Sequence, residues 1–367
     1  MTSDAADQRI VESLALRLRR RQVVGSRASA LETLLVIRQV VAKARFSNFE
    51  QLVDIIRSVG RRLVEAQPKE HSVGNTVRKV LHHIREEYHT ATKGTTTSIP
   101  ESFSIAKFVL QGQPRKHITV TKAEKKGTLK EDDPTDPDSF ARGLKPVLME
   151  AIQDIFDELE TVYDNVSKNA KDHVHSDEII LTLGASKTVE TFFKTAAHYR
   201  KYTVIVAETA PTYGGRDLAA SLSSAGISTF LVPDSSIFAL MSRVNKVILG
   251  AHAILANGGM FATSGAQIAA TAARAHSTPV VVCAGQFKVT PLWNLYHEYG
   301  ALDFSDPSKV LGFEEGDLVD KVDVVNPFYD YVCPELVDAY ITNDGDHPPS
   351  SIYRLLTETY DDEDTVL

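Results

Sequence analysis

The sequence predicts an α/β protein in which an all-α helical N-terminal domain precedes a Rossmann-like, doubly wound parallel sheet. Two observations carry this. Up to Tyr163 apolar side chains recur at three- and four-residue spacing, and after His175 short β-branched runs alternate with helical stretches. Runs that are apolar on both faces belong to a parallel sheet covered by helices. The length, 367 residues, suits two domains, expected at 1–165 and 166–367.

From Asp7 to Tyr88 the pattern is helical. Leu31, Leu34, Leu35 and Val41 share one face, as do Val73, Val77, Val80, Leu81, Ile84 and Tyr88. Between them Ser47 and Glu50 form a Ser-x-x-Glu capping box ahead of Leu52, Val53, Ile55 and Ile56. The stretch 121–138 is rich in Lys, Asp and Pro and nearly devoid of apolar residues, so about 112–139 is expected as a flexible loop. A long helix follows, with Leu144, Leu148, Ile152, Ile155, Leu159 and Tyr163 on one broad stripe that serves as core or receives a partner. The strands are then Ile179–Leu183, Thr203–Ala207, Thr229–Val232, Val247–Leu249 and Val280–Cys283.

Forty basic against 48 acidic residues give a net charge of −8, which argues against holding nucleic acid or anionic lipid by bulk charge. The uncharged segment Val247–Ala273 is long enough to cross a bilayer, yet His252, Asn257 and Gln267 in its middle make it a buried strand, loop and helix. Neither a membrane nor a nucleic-acid partner is expected. The N-terminal residues lack the apolar run of a leader. Cys283 and Cys333 lie outside any Cys-x-x-Cys, so neither a disulfide framework nor a zinc site is indicated, and a reducing cytosol is the expected compartment.

In a doubly wound sheet ligands bind beyond the carboxyl ends of the strands. Four loops therefore count: Gly184-Ala185-Ser186, Glu208 to Arg216, Gly250 to Gly259 and Ala284 to Lys288. None carries a dinucleotide or Walker fingerprint, and no cofactor is expected. Asn257-Gly258-Gly259 either cradles a phosphate or is simply a turn. His252 is an acid or base by type, but a lone loop histidine has no identifiable partner. The basic run Arg17 to Arg21 either touches RNA or phosphoprotein or is a solvated helix face, and the acidic tail Asp361 to Asp364 poses the same choice with opposite sign.

The segment Val244-Asn245-Lys246-Val247-Ile248-Leu249-Gly250-Ala251-His252-Ala253-Ile254-Leu255-Ala256-Asn257-Gly258 resembles the regulatory subunits of eukaryotic translation initiation factor 2B. Ala275-His276-Ser277-Thr278-Pro279-Val280, Asn326-Pro327 with Asp330, Pro334-Glu335-Leu336 and Ile341-Thr342 extend the likeness through the C-terminal domain. Met241 to Lys246, Val281 to Ala284 with Phe287-Lys288, and Ser351 to Leu355 are most similar to the beta branch.

The same fold family includes sugar-phosphate isomerases, and the resemblance implies where this chain departs from them. Gly184 stands where they carry a catalytic cysteine and His252 where they carry an aspartate. Ala262-Thr263 replaces an Asn-Lys pair, and Ala210 replaces an arginine. The losses remove proton transfer and phosphate charge. The resemblance thus implies a noncatalytic subunit of a guanine-nucleotide exchange complex. Its implied partners are the alpha, gamma, delta and epsilon subunits and initiation factor 2, whose phosphorylated alpha subunit turns exchange off. Gly184, Ser186, His252, Asn257 and Gly258 are then a vestigial pocket, and Ile352, Tyr353 and Arg354 candidate interface residues. The alternative is an isomerase-like enzyme using His252, or a pocket that binds a phosphorylated metabolite without converting it.

Overall fold

The computed structural model describes residues 2–46, 48–93, 137–293 and 303–367. The helical part comprises α1 (Thr2–Arg19), α2 (Ser26–Lys43), α3 (Phe49–Ala66), α4 (His71–Lys93), α5 (Pro137–Ser167) and the short α6 (Ala170–His173). The α3 cap sits one residue beyond the expected box: the Asn48 side chain accepts from the Glu50 amide at 3.4 Å. Ser47 lies outside the described residues. So does the expected loop 112–139, apart from its last three residues, which open α5.

Strands and helices then alternate: β1 (Ile179–Leu183), α7 (Lys187–Ala197), β2 (Thr203–Ala207), α8 (Gly214–Ser224), β3 (Ser228–Val232), α9 (Ile237–Met241) and β4 (Lys246–Gly250). After β4 come β5 (Ala253–Ile254), β6 (Met260–Thr263), α10 (Ala266–Ala275) and β7 (Val280–Cys283). The chain closes with β8 (Tyr329–Val332), β9 (Ala339–Ile341), β10 (Asp346–His347) and α11 (Ile352–Thr359). Among the described residues seven strands form the main sheet in the order β10-β9-β7-β4-β1-β2-β3, parallel except for β10. A second sheet, β5-β6-β8, is antiparallel and was not foreseen, because its strands are only two to four residues long. So short an alternation gives no periodic signal.

Side chains alternate across the main sheet. Ile180, Val204, Val206 and Ile248 face a core cluster that also holds Leu34, Ile56, Val80, Leu148, Ile155 and Leu159 of the helical part. Leu181, Ile205, Val247 and Leu249 face the opposite cluster under α10 and α11. The helical part and one face of the sheet thus share one continuous core. The α5 stripe is spent on this packing.

Polar contacts close the same seam. The Asn75 side chain donates to the Phe287 carbonyl at 3.1 Å. Arg57 donates to Asp364 at 2.8 Å, and Arg78 donates to the carbonyls of Asp364 and Thr365, both at 3.0 Å. Arg85 also reaches Asp364, and His82 lies 3.1 Å from Asp361. Asp364 is fully buried. The acidic tail is therefore split: Asp361 and Asp364 turn inward onto α3 and α4 as a strap, while Asp362 and Glu363 stay exposed. The basic run remains a solvated face that makes ion pairs, Arg17 gripping Glu32 with both terminal nitrogens, Arg19 facing Glu12 and Arg21 pairing with Asp303.

Candidate functional site

Strand order reverses about β1, with β2 on one side and β4 on the other, so the crevice expected of this topology opens where β1 and β4 end. Gly184 follows β1 with φ +73, and its amide donates to the Thr209 hydroxyl at 2.8 Å. A Cβ there would lie 2.9 Å from Thr263 Oγ1. Ser186 caps α7, accepting from the Val189 amide at 3.5 Å. Gly250 ends β4, and a Cβ on it would meet Ser186 Oγ at 2.6 Å, so the bare backbone lets the two loops touch. From above, Gly25, with φ +99, turns the chain into α2 and sets Ser26 and Arg27 over the crevice. The result is a cavity of about 450 Å³ walled by Ser26, Arg27, Ser186, His252, Lys288 and Tyr329, among others.

His252 is held on every side. Its Nε2 lies 3.1 Å from the Lys69 carbonyl, which only accepts, so Nε2 carries the proton. Nδ1 then accepts from the Ser26 hydroxyl at 3.3 Å. The ring stacks on Tyr329 with centroids 4.0 Å apart and planes 14° apart. Burial lowers its pKa, with the Glu70 charge opposing. A neutral imidazole with both nitrogens engaged joins the helical part to the β4 loop; it has no lone pair to offer a substrate.

Lys288 donates to the Ala251 carbonyl at 2.7 Å, and burial lowers its ammonium to about 8 against the pull of Glu70. Arg27 donates to the Leu159 carbonyl at 2.8 Å and lies over the Tyr163 ring at 5.0 Å. Lys187 faces Glu190 at 2.9 Å. Cys283 is buried on β7 and its thiol is pushed up by burial, which keeps it protonated and unreactive. Among the described residues no cluster of His, Cys, Asp and Glu suits a metal ion. The cavity therefore pairs the α7 N-terminus and an ammonium with hydroxyls, a set able to hold a small anion. The Ser26 hydroxyl does face the His252 imidazole, but the Lys69 carbonyl and the Tyr329 stack hold that ring in place as a link between the two parts of the chain.

Of the residues singled out from sequence, the structure brings Ser186 and His252 to this wall and leaves Gly184 beneath it. Asn257 and Gly258 lie elsewhere, in the β5–β6 hairpin. The Asn257 side chain accepts from the Gly259 amide at 3.0 Å and donates to the Tyr331 hydroxyl at 2.8 Å. The Gly258 carbonyl accepts from Tyr340 at 2.7 Å. That is the turn reading rather than a phosphate cradle. Ile352 is fully buried in the core and presents no surface, whereas Tyr353 is 57% exposed and Arg354 pairs with Glu358 at 3.0 Å. The sequence reading missed Ser26, Arg27 and Glu70. No motif spacing links residue 26 to residue 252, and only the Gly25-Ser26 start of α2 hinted that a backbone turn was needed there.

The model of the initiation factor 2 subunit family matches residues 22–349. A translation initiation factor eIF2B subunit beta of Schizosaccharomyces pombe is 43% identical over 384 aligned residues, covering 97% of each chain. A chain in the crystal structure of the tetrameric eIF2B-beta2-delta2 complex from C. thermophilum superposes with a TM-score of 0.69 at 29% identity, covering 98% of this chain and 97% of that one. A ribose 1,5-bisphosphate isomerase of Pyrococcus furiosus is 28% identical over 59% of this chain and 67% of its own.

Proposed function

The chain belongs to the initiation factor 2 subunit family, and from that premise we propose that it is a noncatalytic regulatory and scaffold subunit of the guanine-nucleotide exchange complex for translation initiation factor 2. The observation that carries this is the 43% identity to an eIF2B beta subunit along nearly the whole of both chains. The site chemistry agrees with it: His252 is locked as a structural clasp, and glycine occupies position 184. In this reading the chain assembles with alpha, gamma, delta and epsilon subunits in the cytosol. It helps receive the alpha subunit of initiation factor 2, so that phosphorylation of that subunit inhibits exchange. A phosphoserine brings nearly two negative charges, enough to redirect a docked surface.

Reconstitution tests it. GDP release from initiation factor 2 is measured with the complete complex and with a complex lacking this chain, using phosphorylated and unphosphorylated substrate. Loss of the difference between the two substrates when the chain is omitted supports the reading; unaltered exchange and inhibition without it refutes the reading.

The cavity favours a second role beside the first, retention of a small phosphorylated ligand without conversion. Its support is the Ser186 cap, the α7 N-terminus and Lys288 on one wall. Ribose phosphates at millimolar concentration would raise the melting temperature of the chain, since a ligand bound only to the native state stabilises it.

A further inference from the structure

Arg27, Lys187 and Lys288 bring three cations to the wall of the crevice, and they are held in different ways. Lys187 pairs with Glu190 at 2.9 Å, a hydrogen bond that raises its pKa. Arg27 commits its guanidinium to the Leu159 and Glu160 carbonyls and stays protonated, as guanidinium does throughout the range in which proteins are folded. Lys288 donates to the Ala251 carbonyl at 2.7 Å and makes no ion pair among the described residues.

The backbone fixes where that amine stands. Lys288 ends the 3-10 turn Gln286–Lys288 that follows β7, at the carboxyl end of the sheet. The Gln286 amide donates to the Asn343 side chain at 2.8 Å, Asn75 of α4 donates to the Phe287 carbonyl at 3.1 Å, and the Lys288 amide donates to the Gly285 carbonyl at 3.0 Å. A turn gripped by both parts of the chain thus carries the amine to a cavity of about 450 Å³, a volume ordinary for small-molecule sites.

An ammonium taken out of water with no carboxylate in contact is costly, and it relieves that cost by giving up its proton. Burial lowers Lys288 to about 8, with the Glu70 charge opposing. Near pH 7.4 roughly one-fifth of such amines are neutral, against roughly one in a thousand for an ordinary lysine. A neutral Nζ keeps one N–H on the Ala251 carbonyl and has its lone pair left over, which makes it a nucleophile. The Ser186 cap and the α7 N-terminus on the same wall favour an anion. A nucleophilic amine and an anion site in one cavity match a ligand that carries a carbonyl carbon and a phosphate.

We infer that the cavity captures a small phosphorylated aldehyde as an imine on Lys288, with the phosphate at the α7 N-terminus. The inference deepens the ligand-retention role proposed above and rests on it. The lone pair of Nζ adds to the aldehyde carbon, the carbonyl π pair moves onto oxygen, and that oxygen takes up the proton shed by nitrogen. Loss of the oxygen as water then leaves the C=N bond. Nothing is oxidised or reduced, and water reverses the step. Because Asn75 grips the turn that carries Lys288, a ligand tethered there also fastens α4 to the sheet.

The test incubates the full chain with millimolar ribose 5-phosphate and sodium cyanoborohydride, which reduces an imine to a permanent secondary amine, and maps the adducts by peptide mass spectrometry. The comparisons are ribose without phosphate, competition by ribitol 5-phosphate, which has no aldehyde, and the variant Lys288→Arg, which keeps a cation and a donor to Ala251. The neutral fractions lead us to expect at least tenfold more adduct at Lys288 than at any other lysine, suppressed by ribitol 5-phosphate and absent from the variant. Adducts spread over the exposed lysines with no excess at Lys288 overturn the imine, a result that needs no variant to fold. Equal labelling of Lys288 by ribose overturns the phosphate requirement. Melting temperatures separate the two levels of the argument: a rise with ribitol 5-phosphate but no Lys288 adduct leaves retention standing without the imine, and no rise with either phosphate, together with no adduct, overturns both.

Discussion

The rings of His71 and His252 lie 6.2 Å apart, tilted by 58°, at the junction of α4 with the β4 loop. Burial first, and then the charges of His252, Arg78 and Lys69, hold the His71 imidazole near a pKa of about 3. The unfolded chain takes up this proton near 6.5, so between those values it binds more protons than the native state and stability rises with pH. The His71 contribution is complete above about 6.5 and is lost as pH falls toward 3. His71→Phe keeps the parallel stack on Phe261 and removes the buried Nδ1 that lacks a partner. Between pH 7.5 and 5.5 the variant should lose about 1 kcal/mol less stability than the parent, as read from urea midpoints. An identical pH dependence in both would place the acid sensitivity elsewhere.

Glu190 adds a lower limb to the same curve. Burial works against its charge, but hydrogen bonds from Lys194, Ser221 and Lys187 prevail and hold the carboxyl at about 2. Its stabilisation is present above the usual carboxylate range and disappears as pH falls toward 2. Glu190→Gln should flatten unfolding profiles below pH 5 and leave those above pH 6 parallel to the parent.

Gly258 has φ +80, and a Cβ on it would stand 2.4 Å from the Pro349 carbonyl oxygen. Both the backbone conformation and the space exclude a side chain. Gly258→Ala should cost about 2 kcal/mol or more, combining left-handed strain with displacement of the segment before α11. Thermal unfolding measures it, and an unchanged melting temperature would show that the hairpin reforms around the methyl group.

Ile352 and Tyr353 are sequence neighbours with opposite surroundings. Ile352→Ala should destabilise the isolated chain by about 2–4 kcal/mol through the cavity it leaves. Tyr353→Ala should leave stability within about 0.5 kcal/mol, and any defect it causes should appear only in assembled complexes. Native mass spectrometry beside urea unfolding separates the two effects.

Asp364 neutralises the Arg57 and Arg85 guanidiniums from a fully buried position. Removing one member of such a cluster strands the others, so Asp364→Ala should cost about 3 kcal/mol by equilibrium unfolding, more than any single exposed pair such as Arg354–Glu358.

Five of the six parallel strands were legible because each is a short apolar run rich in β-branched residues, and three begin and end where that run does; β9, only Ala339–Ile341, was too short to stand out. The α5 stripe was equally plain. What else stayed hidden has a common cause: it joins residues far apart in the chain. Ser26 meets His252 and Asn75 meets Phe287 across more than 200 positions, and no local pattern encodes such a meeting. The acidic tail misled for the same reason. A run of four acids reads as solvated throughout, which holds for Asp362 and Glu363 but not for Asp364, whose arginine partners on α3 and α4 lie far away in the chain.

That strap sets a schedule for the ribosome. Arg57 and Asp364 are separated by 307 residues, which take about 15–60 s to synthesise at ordinary rates. Throughout that interval α3 and α4 emerge with their arginines uncompensated and half of their shared core unmade. The helical segment therefore cannot complete its packing alone, because α3 and α4 draw their counter-charges from a segment more than 270 residues downstream.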